Sequence, residues 1–284
     1  NLTGGDLSAT LPLDLSDAPF TTTQIGARLR YAYAEPYDLG DDVVLESEGE
    51  MLQLPEEGYR TDVQLGFAWK RQRPYRYNAL NPLDGVGIRA RVTVGAPVLG
   101  SNNEFIRPDL AAYWISPNIG IGRFYAYGRA TAQLGEELAQ DYVGLSRYDD
   151  IDIQVPMFGA LTLDDSERVR GYRSYAVGNR ALFGTLEYRL APLFDLQTQI
   201  LGVVDLDKLS FALFGDFGMV WTGSNTSQAI RRTGVGAEVS NLVDIGGFQI
   251  RHAAGVAAPW TELDENLVWD DVDLYYRIQA SVPF

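Results

Sequence analysis

Between Val86 and Ala96 every second residue is aliphatic: Val86, Ile88, Ala90, Val92, Val94 and Ala96 alternate with Gly87, Arg89, Arg91, Thr93 and Gly95. A period of two sends successive side chains to opposite faces of a β-strand, so one face here is apolar and the other carries two guanidinium groups. Buried in a dry core, those arginines would be costly unless paired; against a water-filled space they are cheap. The same arrangement recurs. Ile25, Ala27, Leu29, Tyr31 and Tyr33 oppose Gly26, Arg28, Arg30 and Ala32, while Phe124, Ala126, Gly128 and Ala130 oppose Tyr125, Tyr127, Arg129 and Thr131.

Further strands are read over Val63–Trp69, Phe105–Ile115, Leu182–Leu190, Leu209–Met219, Thr233–Val239, Phe248–Ala254 and Leu274–Phe284, with a weaker one over Asp6–Leu15. The total is about eleven or twelve, an all-β chain of antiparallel strands with alternately short and long connections. Alternation alone leaves two stacked soluble sheets open, because these too have one apolar and one polar face. The content of the second face, Gly, Arg, Tyr, Gln, Glu and Thr in strand after strand, favours a transmembrane β-barrel with a polar interior. Tyr113 and Trp114 near a strand end suit a membrane interface.

The bulk composition removes other classes. No apolar run is long enough for a transmembrane helix, although barrel strands need only about ten residues each. Cysteine is absent and His252 is the one histidine, so a disulfide framework, a thiolate or histidine-rich metal site and a Ser/His/Asp triad all lack their parts. His252 falls on an apolar face and reads as structural. A formal charge of −15 opposes nucleic-acid binding, which needs surplus Lys and Arg. The acids Asp164, Asp165 and Glu167 have no nucleophile beside them, so no catalytic residues, metal or cofactor are assigned and an enzyme is not expected.

Much of the acidic surplus falls in the long connections, notably Asp41 to Glu57, Glu136 to Glu167 and Glu262 to Asp273, where it suits either divalent-cation binding or a high-salt habitat. The one concentrated basic segment, Lys70-Arg71-Gln72-Arg73-Pro74-Tyr75-Arg76, reads either as a solvated turn or as a docking patch for an acidic partner, with Lys70, Arg71, Arg73 and Arg76 as its contacts. Residues 135–179 exceed any ordinary hairpin loop, and connections of that length are usually functional. They end in Val169-Arg170-Gly171-Tyr172. Strand parity places a turn at Phe194.

These residues carry a family resemblance. Val169-Arg170-Gly171-Tyr172, preceded by Pro156-Met157-Phe158 and followed by Gly178-Asn179 and Leu186-Glu187-Tyr188-Arg189, resembles the inner loop of the BamA superfamily of outer-membrane assembly and two-partner-secretion transporters, the bacterial surface antigen family. Phe214-Gly215-Asp216-Phe217 and Thr233-Gly234-Val235-Gly236 resemble its next two strands, and Asn81-Pro82-Leu83-Asp84-Gly85 a turn upstream. The last strand, with Tyr276, Ile278 and terminal Phe284, resembles the family's carboxy-terminal signal. Where the family often has paired glycines before the motif, this chain has Asp164-Asp165.

The resemblance implies a barrel of about 16 strands, of which this chain is the C-terminal part. Residues 1–284 would form barrel wall, with 135–179 as a lumenal loop, while earlier wall strands and any periplasmic POTRA domain would lie outside it. Within that loop Arg170 would be held by lumenal acids, Glu187 and Asp216, and phase analysis places both on the polar face. The implied setting is integral to the bacterial outer membrane, in contact with its lipids, with an unfolded or secreted polypeptide as cargo and periplasmic or lipoprotein partners. The expected function is insertion or translocation of polypeptides, the alternative a passive porin-like pore or a structural barrel within a larger complex. Strand parity runs the first and last strands in the same direction, which predicts about five strands before Asn1, or else a miscount and a small closed barrel of about twelve.

Overall fold

The computed structural model describes residues 2–15, 18–34, 46–47, 50–51, 57–73, 83–136, 143–146, 151–154, 167–190, 194–200, 204–223, 226–245, 248–260 and 272–281. Pro156 to Phe158, Asp164, Asp165, Arg76 and Phe284 lie outside these residues.

One 14-stranded sheet dominates. Its long members are β1 (Leu2–Leu13), β2 (Thr21–Ala34), β3 (Gly58–Arg73), β4 (Asp84–Gly95), β5 (Phe105–Ile115), β6 (Gly122–Ala132), β7 (Arg180–Leu190), β8 (Val204–Trp221), β9 (Ile230–Ile245), β10 (Phe248–Pro259) and β11 (Asp273–Ser281). Each pairs antiparallel with the next in chain order, so the wall is an up-and-down meander. β1 and β11 run in the same direction and are not paired with each other. The outer edge of β11 instead carries Ile151–Gln154 in parallel, with Ile151 opposite Tyr276 and Ile153 opposite Ile278.

Alternation puts the wall inside out relative to a soluble protein. Leu65, Leu186 and Leu213 are more than half exposed, whereas Asp62, Asp109, Glu187, Asp216 and Glu238 on the opposite face are at most 6% exposed. Exposing so many large apolar residues to water would forfeit about 25 cal/mol for each Å². Hydrocarbon removes that penalty, and the antiparallel ladders already pair the backbone groups that hydrocarbon could not satisfy. No helix is long and apolar enough to cross a membrane among the described residues.

Two expectations need correction. Phe194 does not mark a turn: Phe194–Ile200 is strand, pairs antiparallel with Val204 to Leu209, and moves the reversal to between Ile200 and Val204. Pro192 reads as punctuation because it lacks an N–H, yet Leu196, Thr198 and Ile200 carry the alternation beyond it. The first strand begins at Leu2 rather than Asp6, since Gly4 pairs with Ala32 and Gly5 with Tyr31 without contributing any apolar signal.

Exchanging the two sides of one strand tests the assignment. Leu65→Arg places a guanidinium on the apolar face and should cost roughly 2–4 kcal/mol of stability in a bilayer, while its neighbour Gln64→Arg should change folding little. Urea titration of the protein folded into lipid vesicles, read by gel mobility, should separate them, and equal losses would refute the facing.

Candidate functional site: an inner segment held on the polar wall

The long connection between β6 and β7 has structure of its own. Val143–Ser146 forms the centre of a small sheet, parallel to Glu167–Arg168 on one side and antiparallel to Ala176–Gly178 on the other. Leu145, Val169, Tyr172 and Ala176 are buried in one apolar cluster with Phe183 of β7 and Val220 of β8. Phe183 and Val220 are apolar residues on the polar face, and they give the segment its greasy seat on the wall.

The turn Val169 to Tyr172 closes with Tyr172 N–H donating to the Val169 carbonyl at 3.3 Å. Gly171 has φ +94°, a left-handed conformation that strains residues with a Cβ. The turn also touches β9 directly, because a Cβ on Gly234 would overlap the Arg170 carbonyl oxygen. This close approach aims the Arg170 side chain across β7, β8 and β9.

Arg170 is 5% exposed and meets three carboxylates. Nε donates to Asp216 Oδ2 at 2.7 Å and Nη2 to Asp216 Oδ1 at 2.6 Å, a fork matched to both carboxylate oxygens. The Arg170 backbone N–H donates to the same Oδ2 at 3.1 Å. Nη2 also reaches Glu187 Oε1 and Thr185 Oγ1, each at 3.1 Å, and Nη1 lies 3.8 Å from Glu238 Oε2. The guanidinium is 3.4 Å from the Phe214 ring centroid, a cation–π contact that fills the remaining side.

Alternation brings these acids together. Asp216 is opposite Thr185 on β7 and Gly234 on β9, small partners that leave room for the incoming arginine, and Glu187 is opposite Phe214, whose ring the guanidinium covers. The carboxylates have further cations: Arg189 Nε donates to Glu187 Oε2 at 2.6 Å, and Arg277 Nη2 to both Glu238 oxygens at 2.8 Å. Arg251 reaches Glu238 at 3.4 Å, and the Tyr275 hydroxyl donates to it at 3.1 Å. Glu238, Arg251, Tyr275 and Arg277 had not been singled out as site residues, although the same period-two reading that places Glu187 and Asp216 on the polar face places Glu238 there.

Other contacts tie down the arms of the segment. Arg232 donates to the Ser174 carbonyl at 2.8 Å and Ser174 Oγ at 2.7 Å, with its guanidinium 5.1 Å from the Tyr172 ring. Asn179 Oδ1 accepts from Gly223 N–H at 3.1 Å. Upstream, Glu167 Oε1 accepts from the Tyr127 hydroxyl at 2.6 Å and from Arg129 Nη1 at 3.3 Å, both on β6.

The remaining predicted residues stand apart. Tyr276 and Ile278 lie on β11, with the Tyr276 ring 6.2 Å from His252. Lys70, Arg71 and Arg73 end β3, where alternation sends Lys70 to one face and Arg71 and Arg73 to the other; Arg73 is ion-paired with Asp84.

A family model described as the Omp85 superfamily domain matches residues 3–270. Among solved structures, the chain is similar to CdiB from Escherichia coli, with a TM-score of 0.61 and 16% sequence identity over 99% of this chain and 45% of that one. This chain therefore spans less than half the length of that structure. No curated protein sequence matches it.

Deleting the guanidinium leaves Asp216, Glu187 and Glu238 buried together. Arg170→Ala should therefore destabilise by about 3–5 kcal/mol, the usual cost of breaking a buried pair from one side. The double variant Arg170→Ala/Asp216→Ala should lose less than Arg170→Ala alone. Urea midpoints of the three proteins in detergent would check this, and an additive double variant would contradict the coupling.

Proposed function

The chain belongs to the Omp85 superfamily, and from that premise we propose that it forms wall of an outer-membrane β-barrel that inserts or translocates polypeptides across the bacterial outer membrane. Apart from Ile151–Gln154, which pairs at the edge of β11, the described part of residues 135–179 sits inside that barrel, and the Arg170–carboxylate contact is the catch that holds it. The observation carrying this reading is the fork from Arg170 to Asp216, a buried polar contact between the long segment and the wall. The apolar outer face supports a location in lipid. Ile151–Gln154 on β11 supports strand addition as the means of handling cargo, since an extended segment already pairs at that edge. The chemistry is exchange of backbone hydrogen bonds, with no bond broken in the cargo. Partners on this reading are outer-membrane lipids and an unfolded or secreted polypeptide.

The chain has no cysteine, so engineered thiols are clean probes. Cysteines replacing Tyr127 and Glu167, bridged by a short reducible bis-thiol reagent, pin the segment to β6. Pinning should abolish cargo transport into or across proteoliposomes, read by protease protection, and reduction should restore it. Transport that continues with the segment pinned would refute the catch, and solute flux with no polypeptide transport would favour a passive pore.

A further inference from the structure

The basic end of β3 takes no part in seating the inner segment, and alternation divides its charges between the two sides of the wall. Lys70 has the parity of Asp62 and Gln64 and belongs to the polar side. Arg71 has the parity of Leu65, Phe67 and Trp69, so it stands on the lipid side, about 7 Å along the strand beyond Trp69. Across the sheet, Arg71 is opposite Thr21 on β2 and Val86 on β4, and Val86 is opposite Trp114 on β5. Val86 and Trp114 are 39% and 47% exposed, as befits side chains turned to lipid. Asp84 is the next acid along the chain, and Arg73 already holds it. The connection 74–83 contains no acid. Arg71 is exposed and forms no ion pair among the described residues.

We propose that Arg71 is a headgroup site for an anionic phospholipid of the periplasmic leaflet, whose acyl chains lie over Phe67, Val86 and Ile88 on the same face. The end of the wall where β3 finishes carries the short connections 14–20 and 116–121, while the long ones, 35–57 and 133–179, lie at the other end. Outer-membrane barrels turn their short connections to the periplasm, and the leaflet on that side is built of phospholipid. At mid-membrane a guanidinium on this face would be costly. Past the tryptophans that mark the interface, its long stem carries the charge to the level of the phosphates, where it is matched. Charge complementarity then selects an anionic lipid over a zwitterionic one. Arg73 adds little, its charge being matched by Asp84, and Lys70 faces away, so one guanidinium carries the preference. The proposal rests only on the lipid-facing assignment and holds whatever the barrel transports.

The test reads which lipid stands beside β3. This chain has no cysteine, so Ile88→Cys carries a single NBD fluorophore on the lipid side, opposite Trp69. The full-length protein is folded into phosphatidylcholine vesicles that hold a small fraction of either phosphatidylglycerol or phosphatidylcholine bearing a nitroxide on the acyl chain near the headgroup, and quenching is measured. A chain with a formal charge of −15 repels anionic lipid as a whole, so a preference for that lipid reports a local site. Labelled phosphatidylglycerol should quench with about fivefold higher apparent affinity than labelled phosphatidylcholine. Arg71→Gln should abolish the preference while leaving quenching by phosphatidylcholine unchanged, which shows that the variant is folded in the bilayer. Arg71→Lys should keep most of it. Lys70→Gln removes the same charge from the other face and should leave the preference intact. Equal quenching by the two lipids, a preference that survives Arg71→Gln, or one lost equally in Lys70→Gln would overturn the site and leave the barrel reading standing. Quenching by neither lipid would overturn the lipid-facing assignment as well.

Discussion

One guanidinium amid three carboxylates organises the inner half of this structure. A chain segment lying on the finished face of a sheet finds most of the wall's backbone groups already used by the ladders. It is held chiefly by side chains. Arg170 does so with a bidentate fork, a backbone donor and an aromatic face, at a site shielded from water where each contact is stronger than it would be in solvent. Glu187 and Glu238 are also paired with wall arginines, Arg189 and Arg277, on their far sides.

That arrangement joins two requirements that usually conflict. The outer surface must be apolar to reside in lipid, and the inner surface must be polar enough to be wet. A strand satisfies both only because its side-chain period is two, and each strand therefore contributes acids or arginines to the inside without disturbing the outside. Phe183 and Val220 are the local departures, apolar residues turned inward where the segment's Leu145, Val169 and Tyr172 cover them.

Much of this was legible from residue order alone. The sides of β4, β7 and β8 followed from alternation, and Glu187 and Asp216 fell on the inner side before any coordinates. Glu238 fell on the same side by alternation but was not assigned to the site, because no familiar motif pointed to it. The small sheet of Val143–Ser146, Glu167–Arg168 and Ala176–Gly178 was hidden for a different reason. Strands of two to four residues are too short to show a period, and they are held by contacts to a wall distant in sequence. Arg89, Arg91 and Arg129 were visible as arginines on a polar face. Their convergence on Asp109 depends on the β4–β5–β6 register, which sequence does not specify.

The short parallel segment on β11 has a kinetic consequence. Among the described residues, Ile151–Gln154 covers four positions of that edge, and those four contribute few hydrogen bonds. It is nonetheless joined covalently to the molecule it pairs with. A tethered strand competes at an effective concentration on the order of millimolar, so an untethered chain at lower concentration displaces it only by forming a longer ladder or by gaining side-chain contacts that four residues cannot supply. On the proposed strand-addition reading, the edge would discriminate by length: brief encounters are outcompeted, and sustained ones prevail.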